Sequence, residues 1–527
     1  GRDATWLAIG ASIFASNIGS EHLIGLAGAG ASSGMAMAHW EIQGWMILIL
    51  GWVFVPFYTR SMVYTMPEFL ERRYNPQSRT ILSVISLVSY VLTKVAVTVY
   101  AGGLVFQQVF GIKELWGIDF FWIAAIGLVV LTALYTIFGG MKSVLYTSVL
   151  QTPILLLGSL IILVLGFKEL GGWDEMMRVC GAVTVNDYGD TMTNLIRSND
   201  DANFPWLGAL IGSAIIGFWY WCTDQFIVQR VLSGKNEMEA RRGTIFGAYL
   251  KLLPVFLFLI PGMIAFALHQ KYIGAGGEGF LPMLANGTAN ADAAFPTLVA
   301  KLLPAGVKGL VVCGILAALM SSLASLFNSS AMLFTIDFYK RFRPETPEKK
   351  LVGIGQIATV VIVILGILWI PIMRSVGDVL YTYLQDVQSV LAPGIAAAFL
   401  LGICWKRTSA QGGMWGLIAG MIIGLTRLGA KVYYSNAGEV ADSTFKYLFY
   451  DMNWLFFCGW MFLFCIIVVI VVSLATEAPT AEKIQGLVFG TATKEQKAAT
   501  RASWDHWDII HTVIILAITG AFYWYFW

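Results

Sequence analysis

Charged residues are scarce in this sequence: Asp, Glu, Lys and Arg make up 13% of its 527 residues, whereas 57% are hydrophobic. A soluble domain carries roughly 25% charged residues, so the composition excludes an ordinary soluble protein and predicts a polytopic protein of the lipid bilayer. The net charge of +2 provides no excess of positive charge for a nucleic-acid partner. We therefore expect neither nucleic-acid binding nor an acidic substrate surface.

Cysteine is also rare, and its spacing predicts neither a disulfide framework nor a metal site. The six cysteines occur singly, without a CxxC or similar spacing, and we interpret them as packing residues. No charged leader precedes the first apolar run, so no signal peptide is predicted. No nucleophile–base pair or phosphate-binding loop accompanies the apolar segments, and an enzyme is therefore the function class that the sequence favours least.

Apolar runs of about 20 residues, the length that crosses a bilayer, recur along the chain. They predict thirteen transmembrane helices, near residues 5–30, 36–59, 79–110, 119–138, 143–167, 206–232, 241–269, 306–338, 350–372, 377–404, 410–432, 452–476 and 506–527. Two short amphipathic segments, 66–74 and 294–303, each have a proline near the start. They predict helices that lie on opposite membrane faces, with ordinary loop helices as the alternative.

Basic residues collect in the loops that follow even-numbered helices, and short cytoplasmic loops are enriched in Lys and Arg. The longest of the opposite loops, 168–205, is rich in acidic residues, among them Asp174, Glu175, Asp187, Asp190, Asp200 and Asp201. We therefore expect the first helix to start on the cytoplasmic side and the last helix to end outside.

Polar residues interrupt the first and sixth predicted helices. The first contains SNIGSEH at 16–22, and the sixth contains WYWCTDQ at 219–225. Backbone groups freed at bilayer depth need protein or water partners, and an ionisable group there indicates a functional site. A helix packed through small residues is the alternative for the first, and coincidence in a glycine-rich protein is the alternative for the pair. The two broken helices are five positions apart in the helix order, and an odd offset inverts topology, which predicts a secondary transporter with its site at the midplane.

The eighth predicted helix carries a serine face, because Ser321 and Ser325 share one side and Ala318 lies three residues before Ser321. Close helix packing is one interpretation of such a face. The other is a sodium site, since a hard cation prefers oxygen ligands, and unwound carbonyls together with hydroxyls supply them.

The segments ASNIGSEHLIGLAGAG, WYWCTDQFIVQR, ALMSSLASLFNSS, LFTIDFYKR and AAAFLLGICWKR resemble the solute:sodium symporter family, most closely its sodium/glucose cotransporter branch. The similarity runs over nearly the whole chain. It implies an all-α polytopic membrane protein with a leucine-transporter-like fold and a single transport domain over 1–527. Five helices at 5–167 are repeated in inverted orientation at 206–404, and three further helices occupy 410–527. Related members usually have fourteen helices, so we expect that one helix is missing before the first helix predicted in this chain.

The resemblance also implies site residues. The family's sodium ligands map onto the backbone carbonyls of Ala15, Ile18 and Ala318 and the hydroxyls of Ser321 and Ser322. Its sugar contacts map onto Asn17, His22, Glu41, Lys251 and Gln385, with Tyr220 as the inner gate and Trp221 beside it. Sugar hydroxyls donate and accept hydrogen bonds, so amide, carboxylate, imidazole and ammonium groups suit them. Structural ion pairs, an interior histidine or helix packing are the alternatives for these residues taken singly.

Two positions depart from the family pattern. Many relatives place a sugar-contacting Asn or Thr three residues before the gate tyrosine, where this chain has Gly217, which leaves the preferred sugar in doubt. Sugar transporters commonly carry Tyr-Thr-Asp in the fifth helix, where this chain has Ser148, and the nearby eighth-helix positions are Ala324 and Ser325. We therefore predict one co-transported sodium ion per sugar.

The predicted function is sodium-coupled uptake of a monosaccharide by alternating access. A sodium/myo-inositol symporter is the first alternative, because Ser20, Glu21 and His22 resemble that branch equally well. A sugar-gated sensor that conducts ions is the second, although such proteins replace the site glutamine with an acid and Gln385 is intact. Short loops suggest a bacterial inner membrane, but a possible glycosylation sequon at 286–288 keeps a eukaryotic source open. The sequence does not indicate an oligomeric state.

Overall fold

The computed structural model describes residues 3–63, 65–284, 286–376, 379–436 and 441–527, and it defines their side chains except those of 135–152, 328, 374–376 and 382. The chain is mostly helical, as predicted, because a backbone in lipid must satisfy its hydrogen bonds internally. The α-helices are Trp6–Asn17, Ala27–Ser33, Ala38–Glu41, Gly44–Ile49, Val55–Ser61, Met66–Arg73, Pro76–Ser89, Ala96–Phe110, Phe120–Leu170, Trp173–Gly181, Trp206–Gly217, Gln225–Leu232, Glu237–Leu250, Ile260–Gly274, Ala294–Leu302, Ala305–Met332, Lys340–Phe342, Glu348–Val376, Leu380–Cys404, Ala410–Asn436, Thr444–Lys446, Trp454–Ala475, Ala481–Ile484, Lys494–Ala502 and His506–Tyr525.

Shorter elements connect these helices. Segments of π-helix cover Glu21–Leu26, Leu50–Phe54, Tyr90–Val95, Phe218–Thr223, Val255–Leu259, Leu333–Tyr339 and Tyr447–Asp451, and 3₁₀ turns cover Gly34–Met37 and Ala291–Ala293. Two short strands, Glu114–Leu115 and Ile118–Asp119, pair in antiparallel orientation. The two predicted surface helices form as Met66–Arg73 and Ala294–Leu302, while their positions at the membrane faces stay predictions.

Within the described part of the chain, eleven helical segments are long and apolar enough to cross a membrane. Two shorter apolar helical stretches accompany them, namely the helix Trp6–Asn17 and the part Phe120–Leu134 of the helix Phe120–Leu170. The prediction of a multi-pass membrane protein is therefore confirmed. The count of thirteen spans and the inverted repeat stay predictions.

The fourth and fifth predicted spans differ from expectation, because both lie within one continuous helix, Phe120–Leu170. This helix has 51 residues, which at 1.5 Å per residue makes it about 77 Å long. The apolar core of a bilayer is only about 30 Å thick. The predicted helix boundary at 139–142 is therefore not present, and because an unbroken helix cannot reverse its direction, the structure does not provide the two separate crossings predicted for this stretch.

Both predicted helix breaks are present. The first helix ends at Asn17, Ile18 is extended (φ −80°, ψ 107°), and helical structure resumes after Gly19. In the sixth predicted span, Asp224 is extended (φ −74°, ψ 127°) between Phe218–Thr223 and the next helix. The Asp224 carboxylate accepts a hydrogen bond from Phe226 N–H at 3.2 Å and so begins the second half of that span.

The broken segments lie in the interior of the bundle. Trp6–Asn17 packs against Glu237–Leu250, and Ala27–Ser33 packs against Ile260–Gly274. Leu380–Cys404 lies against the π-helical part of both broken spans and also against Ala410–Asn436. Polar side chains at the two breaks are therefore enclosed by helices on all sides.

Candidate functional site

A small cavity lies between the two helix breaks. All seven side chains predicted to contact sugar line it: Asn17, His22, Glu41, Tyr220, Trp221, Lys251 and Gln385. None of these residues is more than 7% exposed. The structure thus brings together, in one occluded space, residues that are up to 368 positions apart in the sequence (385 minus 17).

Glu41 is the centre of the hydrogen-bond network in the cavity. Its Oε2 atom accepts from Lys251 Nζ at 2.6 Å and lies 3.2 Å from His22 Nε2. Its Oε1 atom accepts from the Tyr381 hydroxyl at 2.6 Å. Burying a carboxylate is costly unless it is paired and hydrogen-bonded, and these three partners satisfy both conditions.

A second chain of contacts links the two breaks. Lys251 Nζ donates to Asn17 Oδ1 at 3.2 Å, and Asn17 Nδ2 donates to the Tyr220 hydroxyl at 3.2 Å. Lys251 Nζ also lies 5.3 Å from the centre of the Trp221 ring, within the range of a cation–π contact. Asn17 ends the helix before the first break, and the two aromatic residues lie just before the second.

Local backbone irregularities place these groups. His22 lies in the π-helix Glu21–Leu26, and Tyr220 and Trp221 lie in the π-helix Phe218–Thr223. Such wide turns recur at functional sites, because an extra residue per turn redirects the side chains that follow. Lys251 is the residue directly after the helix Glu237–Leu250, where an ammonium group also suits the helix dipole.

Two residues that line the cavity each have a buried polar atom without a partner. Among the described residues, His22 Nδ1 and Gln385 Oε1 have no hydrogen-bond partner. More than nine in ten buried polar groups in proteins are hydrogen-bonded. A ligand with hydroxyl groups is suited to both positions, because it can donate to the amide oxygen and either donate to or accept from the imidazole nitrogen.

The charges around the cavity balance. Glu41 is paired with Lys251, and Glu21, which also lines the cavity, lies 3.9 Å from the Lys94 ammonium group. Lys94 Nζ is also 4.9 Å from the centre of the Tyr220 ring. Because each carboxylate has an ammonium partner, the arrangement suits a neutral substrate better than an ionic one.

The first break also contacts the eighth predicted helix. A Cβ atom added to Gly19 would lie 2.8 Å from Ser322 Oγ, so the unwound backbone approaches this hydroxyl directly. Ala15 is among the last four residues of the helix before the break, whose carbonyls lack intrahelical partners. Ala318 lies one turn before Ser322 on the helix Ala305–Met332. Ser321, which is next to Ser322, and Ile18 at the break complete the set of residues predicted to bind sodium. The Ser148 side chain lies outside the described residues.

Seven further residues line the cavity but were not predicted as contacts: Glu21, Trp40, Gln43, Ile216, Gly217, Tyr381 and Gln388. Helical spacing could have revealed two of them, because Tyr381 and Gln388 lie four residues before and three residues after Gln385 on one face. Gln43 could not be found this way, since it follows Glu41 across a turn.

A buried carboxylate in an adjacent loop holds the start of a helix that lines the cavity. Both Asp292 oxygens accept from Leu380 N–H at 3.2 Å, and the Tyr100 hydroxyl donates to one of them at 3.4 Å. Burial raises the pKa of the Asp292 carboxyl to about 7, although both hydrogen bonds oppose this shift. The loop is thereby tied to the helix that carries Tyr381 and Gln385.

Comparison with known proteins places these features in context. A family model described as the sodium:solute symporter family matches residues 1–420. The sodium/glucose cotransporter 1 of Ovis aries is 39% identical over 495 residues, covering 90% of this chain and 74% of its own length. The sodium/myo-inositol cotransporter 2 of Homo sapiens is 36% identical over 504 residues (93% and 74%), and the sodium/myo-inositol cotransporter of Bos taurus is 38% identical over 512 residues (93% and 70%).

A solved structure shares the fold. The substrate-bound, outward-open state of a Na⁺-coupled sialic acid symporter superposes with a TM-score of 0.68 at 21% identity, covering 90% of this chain and 91% of the other. At this level of identity the likeness shows the fold alone.

Proposed function

This chain belongs to the sodium:solute symporter family, and we propose that it couples the inward movement of one sodium ion to the uptake of a monosaccharide or a cyclic polyol. The curated relatives are named for glucose and for myo-inositol, two neutral six-membered rings rich in hydroxyl groups. In this proposal the loops rich in Lys and Arg face the cytoplasm, and the last helix therefore ends outside.

The observation that carries the substrate class is the convergence of seven buried polar and aromatic side chains on one cavity. Carboxylate, ammonium, amide and imidazole groups line it, and each can pair with a hydroxyl, which both donates and accepts. The rings of Tyr220 and Trp221 cover the apolar face of the sugar carbons. The substrate replaces the contacts that Lys251, Asn17 and Tyr220 make with one another.

One observation favours the polyol as a second candidate. Glu21 adds a carboxylate to the lining of the cavity, and a carboxylate only accepts hydrogen bonds. Every ring position of inositol carries a hydroxyl donor, whereas the ring oxygen of a pyranose cannot donate. If Glu21 faces that ring position, inositol is bound better than glucose.

Sodium binds where the first break meets the eighth helix. The proposed ligands are the carbonyls of Ala15, Ile18 and Ala318 and the hydroxyls of Ser321 and Ser322. The contact between Gly19 and Ser322 supports this placement, since one unwound segment then touches sodium on one side and presents Asn17 to the substrate on the other. An ion that bridges these helices favours one conformation of the bundle over the other, as a population shift requires.

One sodium ion per substrate suffices energetically. Moving one charge through 100 mV contributes about 2.3 kcal/mol, and a tenfold sodium gradient adds about 1.4 kcal/mol. The sum of about 3.7 kcal/mol sustains a substrate gradient of roughly 500-fold.

The proposed mechanism is alternating access. Sodium ties the first break to the eighth helix and favours the outward-open state, and the substrate then binds at midplane. The bundle closes over both ligands and opens inward, where loss of sodium frees Gly19 from Ser322. The Tyr220 ring, which rests against the Lys94 ammonium group in the closed cavity, moves aside as the substrate leaves.

Equilibrium binding in detergent tests this coupling. Titration of the purified protein with glucose and with myo-inositol, in sodium chloride and in choline chloride, measures the dependence directly. We expect tighter binding in sodium for at least one of the two ligands. Affinities for both ligands that are indifferent to sodium would refute the coupling scheme.

A further inference from the structure

The space opposite Gly217 is filled by a side chain from another helix. Where many relatives carry a polar side chain, a Cβ atom added to Gly217 would lie 2.9 Å from Gln43 Cδ and 3.1 Å from its Nε2, and would meet its Oε1. Both residues line the cavity, and Gln43 is only 2% exposed. The carboxamide therefore occupies the volume that a larger residue at 217 would take.

The orientation of this amide follows from its hydrogen bond. Gln43 Nε2 donates to the carbonyl of Ser213 at 2.8 Å, one turn before Gly217 on the same helix. A carbonyl can only accept, so the NH₂ group is assigned to that side and Oε1 lies at Gly217. The side chain is thus anchored by its donor and presents an acceptor to the cavity.

The backbone explains how Gln43 reaches the same cavity as Glu41. Residues two apart on a continuous helix are rotated by about 200° around the helix axis, so their side chains point to nearly opposite sides. Here the helix Ala38–Glu41 ends, and Ile42 and Gln43 form a turn (ψ 19° and 26°) before the helix Gly44–Ile49 begins. The turn brings both side chains to one side.

We propose that Gln43 contacts the substrate and determines its specificity, and that Gly217 is the residue that makes room for it. The Gln43 carbonyl oxygen accepts a hydrogen bond from one ring hydroxyl of the substrate, in place of the missing side chain at 217. This inference rests on the proposed function, because it identifies which group reads one hydroxyl of the sugar or polyol.

Single-deoxy analogues of glucose and of myo-inositol test the contact. Gln43→Met keeps the side-chain volume but removes the acceptor. The analogues are used as competitors of sodium-dependent uptake in proteoliposomes that contain either the wild type or Gln43→Met. In the wild type, the analogue that lacks the recognised hydroxyl binds roughly tenfold more weakly. In Gln43→Met this penalty disappears, while the penalties of the other analogues remain. An unchanged pattern of penalties in Gln43→Met would overturn the inference.

A swap of the two residues tests the role of the glycine. We expect Gly217→Asn alone to raise KM strongly, because its side chain meets the Gln43 carboxamide, and Gln43→Ala combined with Gly217→Asn to recover most of the loss. Gly217→Ala should also raise KM, because its Cβ meets the Gln43 carboxamide. Its matched control is Gly127→Ala, whose added Cβ meets nothing within 4 Å and which leaves KM unchanged. A double variant no better than Gly217→Asn would contradict the proposal.

The outcomes separate this inference from the proposed function. Uptake at saturating substrate and a monodisperse elution profile show that each variant folds and transports. If the wild type takes up either ligand in a sodium-dependent manner but Gln43→Met behaves like it, only the role of Gln43 is refuted. If the wild type shows no sodium-dependent uptake of either ligand, the proposed function fails, and this inference fails with it.

Discussion

Replacing Glu41 with glutamine tests whether the charged network holds the cavity in a form that binds substrate. Glu41 is fully buried and accepts hydrogen bonds of 2.6 Å from both Lys251 and Tyr381. Glutamine keeps the shape but removes the charge, which leaves the Lys251 ammonium group buried without its counter-ion. Removal of one partner from a buried ion pair costs about 3–5 kcal/mol.

Such a loss is large enough to measure in two ways. If about 3 kcal/mol falls on binding, the dissociation constant for the substrate rises roughly 150-fold, and any remainder lowers the melting temperature in detergent. Titration of the purified protein and thermal unfolding of the same sample measure both effects. Glu41→Gln combined with Lys251→Met removes the orphaned charge, so it restores the melting temperature but not the affinity.

Glu21→Gln is the matched control. Glu21 lines the same cavity, but its carboxylate is 3.9 Å from Lys94 and 15% exposed, so we expect less than about tenfold loss of affinity. A Glu41→Gln protein with the affinity and melting temperature of the wild type would refute the role assigned to the network.

Three further predictions concern the ion, the sugar and the adjacent loop. Ser322→Ala removes a proposed sodium ligand and should raise the sodium concentration for half-maximal uptake about tenfold or more, with the apparent sugar affinity at saturating sodium nearly unchanged; an unaltered sodium dependence would exclude this hydroxyl as a ligand. His22→Ala should show the reverse, a raised KM for sugar and an unchanged sodium requirement, measured in the same uptake assay. Asp292 has a pKa of about 7 in the folded protein, above its ordinary 3.8, so the folded state binds a proton that the unfolded state releases, and stability falls as the pH rises through 7. Between pH 6 and pH 8 this loss is about 1.4 kcal/mol; thermal unfolding in detergent should show it in the wild type and not in Asp292→Asn, and equal pH dependence of the two proteins would rule it out.

The sequence is most informative where polar residues interrupt apolar runs. Asn17, Glu21 and His22 around the first break, and Asp224 at the second, predict interrupted helices because lipid cannot satisfy freed backbone groups. Both breaks lie where these residues predict them. The residues predicted to contact sugar came from resemblance to a family, and the structure brings all seven to one cavity.

Contacts that depend on turns and on distant helices could not be predicted. Gln43 reaches the cavity only because the chain turns after Glu41, and periodicity alone places it on the opposite side. Its position over Gly217 depends on how two helices pack, which a single sequence does not encode at any fixed spacing. The sequence predicts separate spans at 119–138 and 143–167, whereas the structure has one continuous helix, Phe120–Leu170. The glycine pair at 139–140 does not interrupt it, since a glycine weakens a helix by only about 1 kcal/mol relative to alanine.

Uptake into proteoliposomes is the most direct test of sodium-coupled transport. Labelled glucose, galactose and myo-inositol are offered side by side to the purified protein, with an inward sodium gradient and with the gradient absent. We predict that at least one of them accumulates only when the gradient is imposed, with one sodium ion entering per substrate molecule. Uptake of all three without sodium, or a sugar-evoked current without any uptake, would contradict the account.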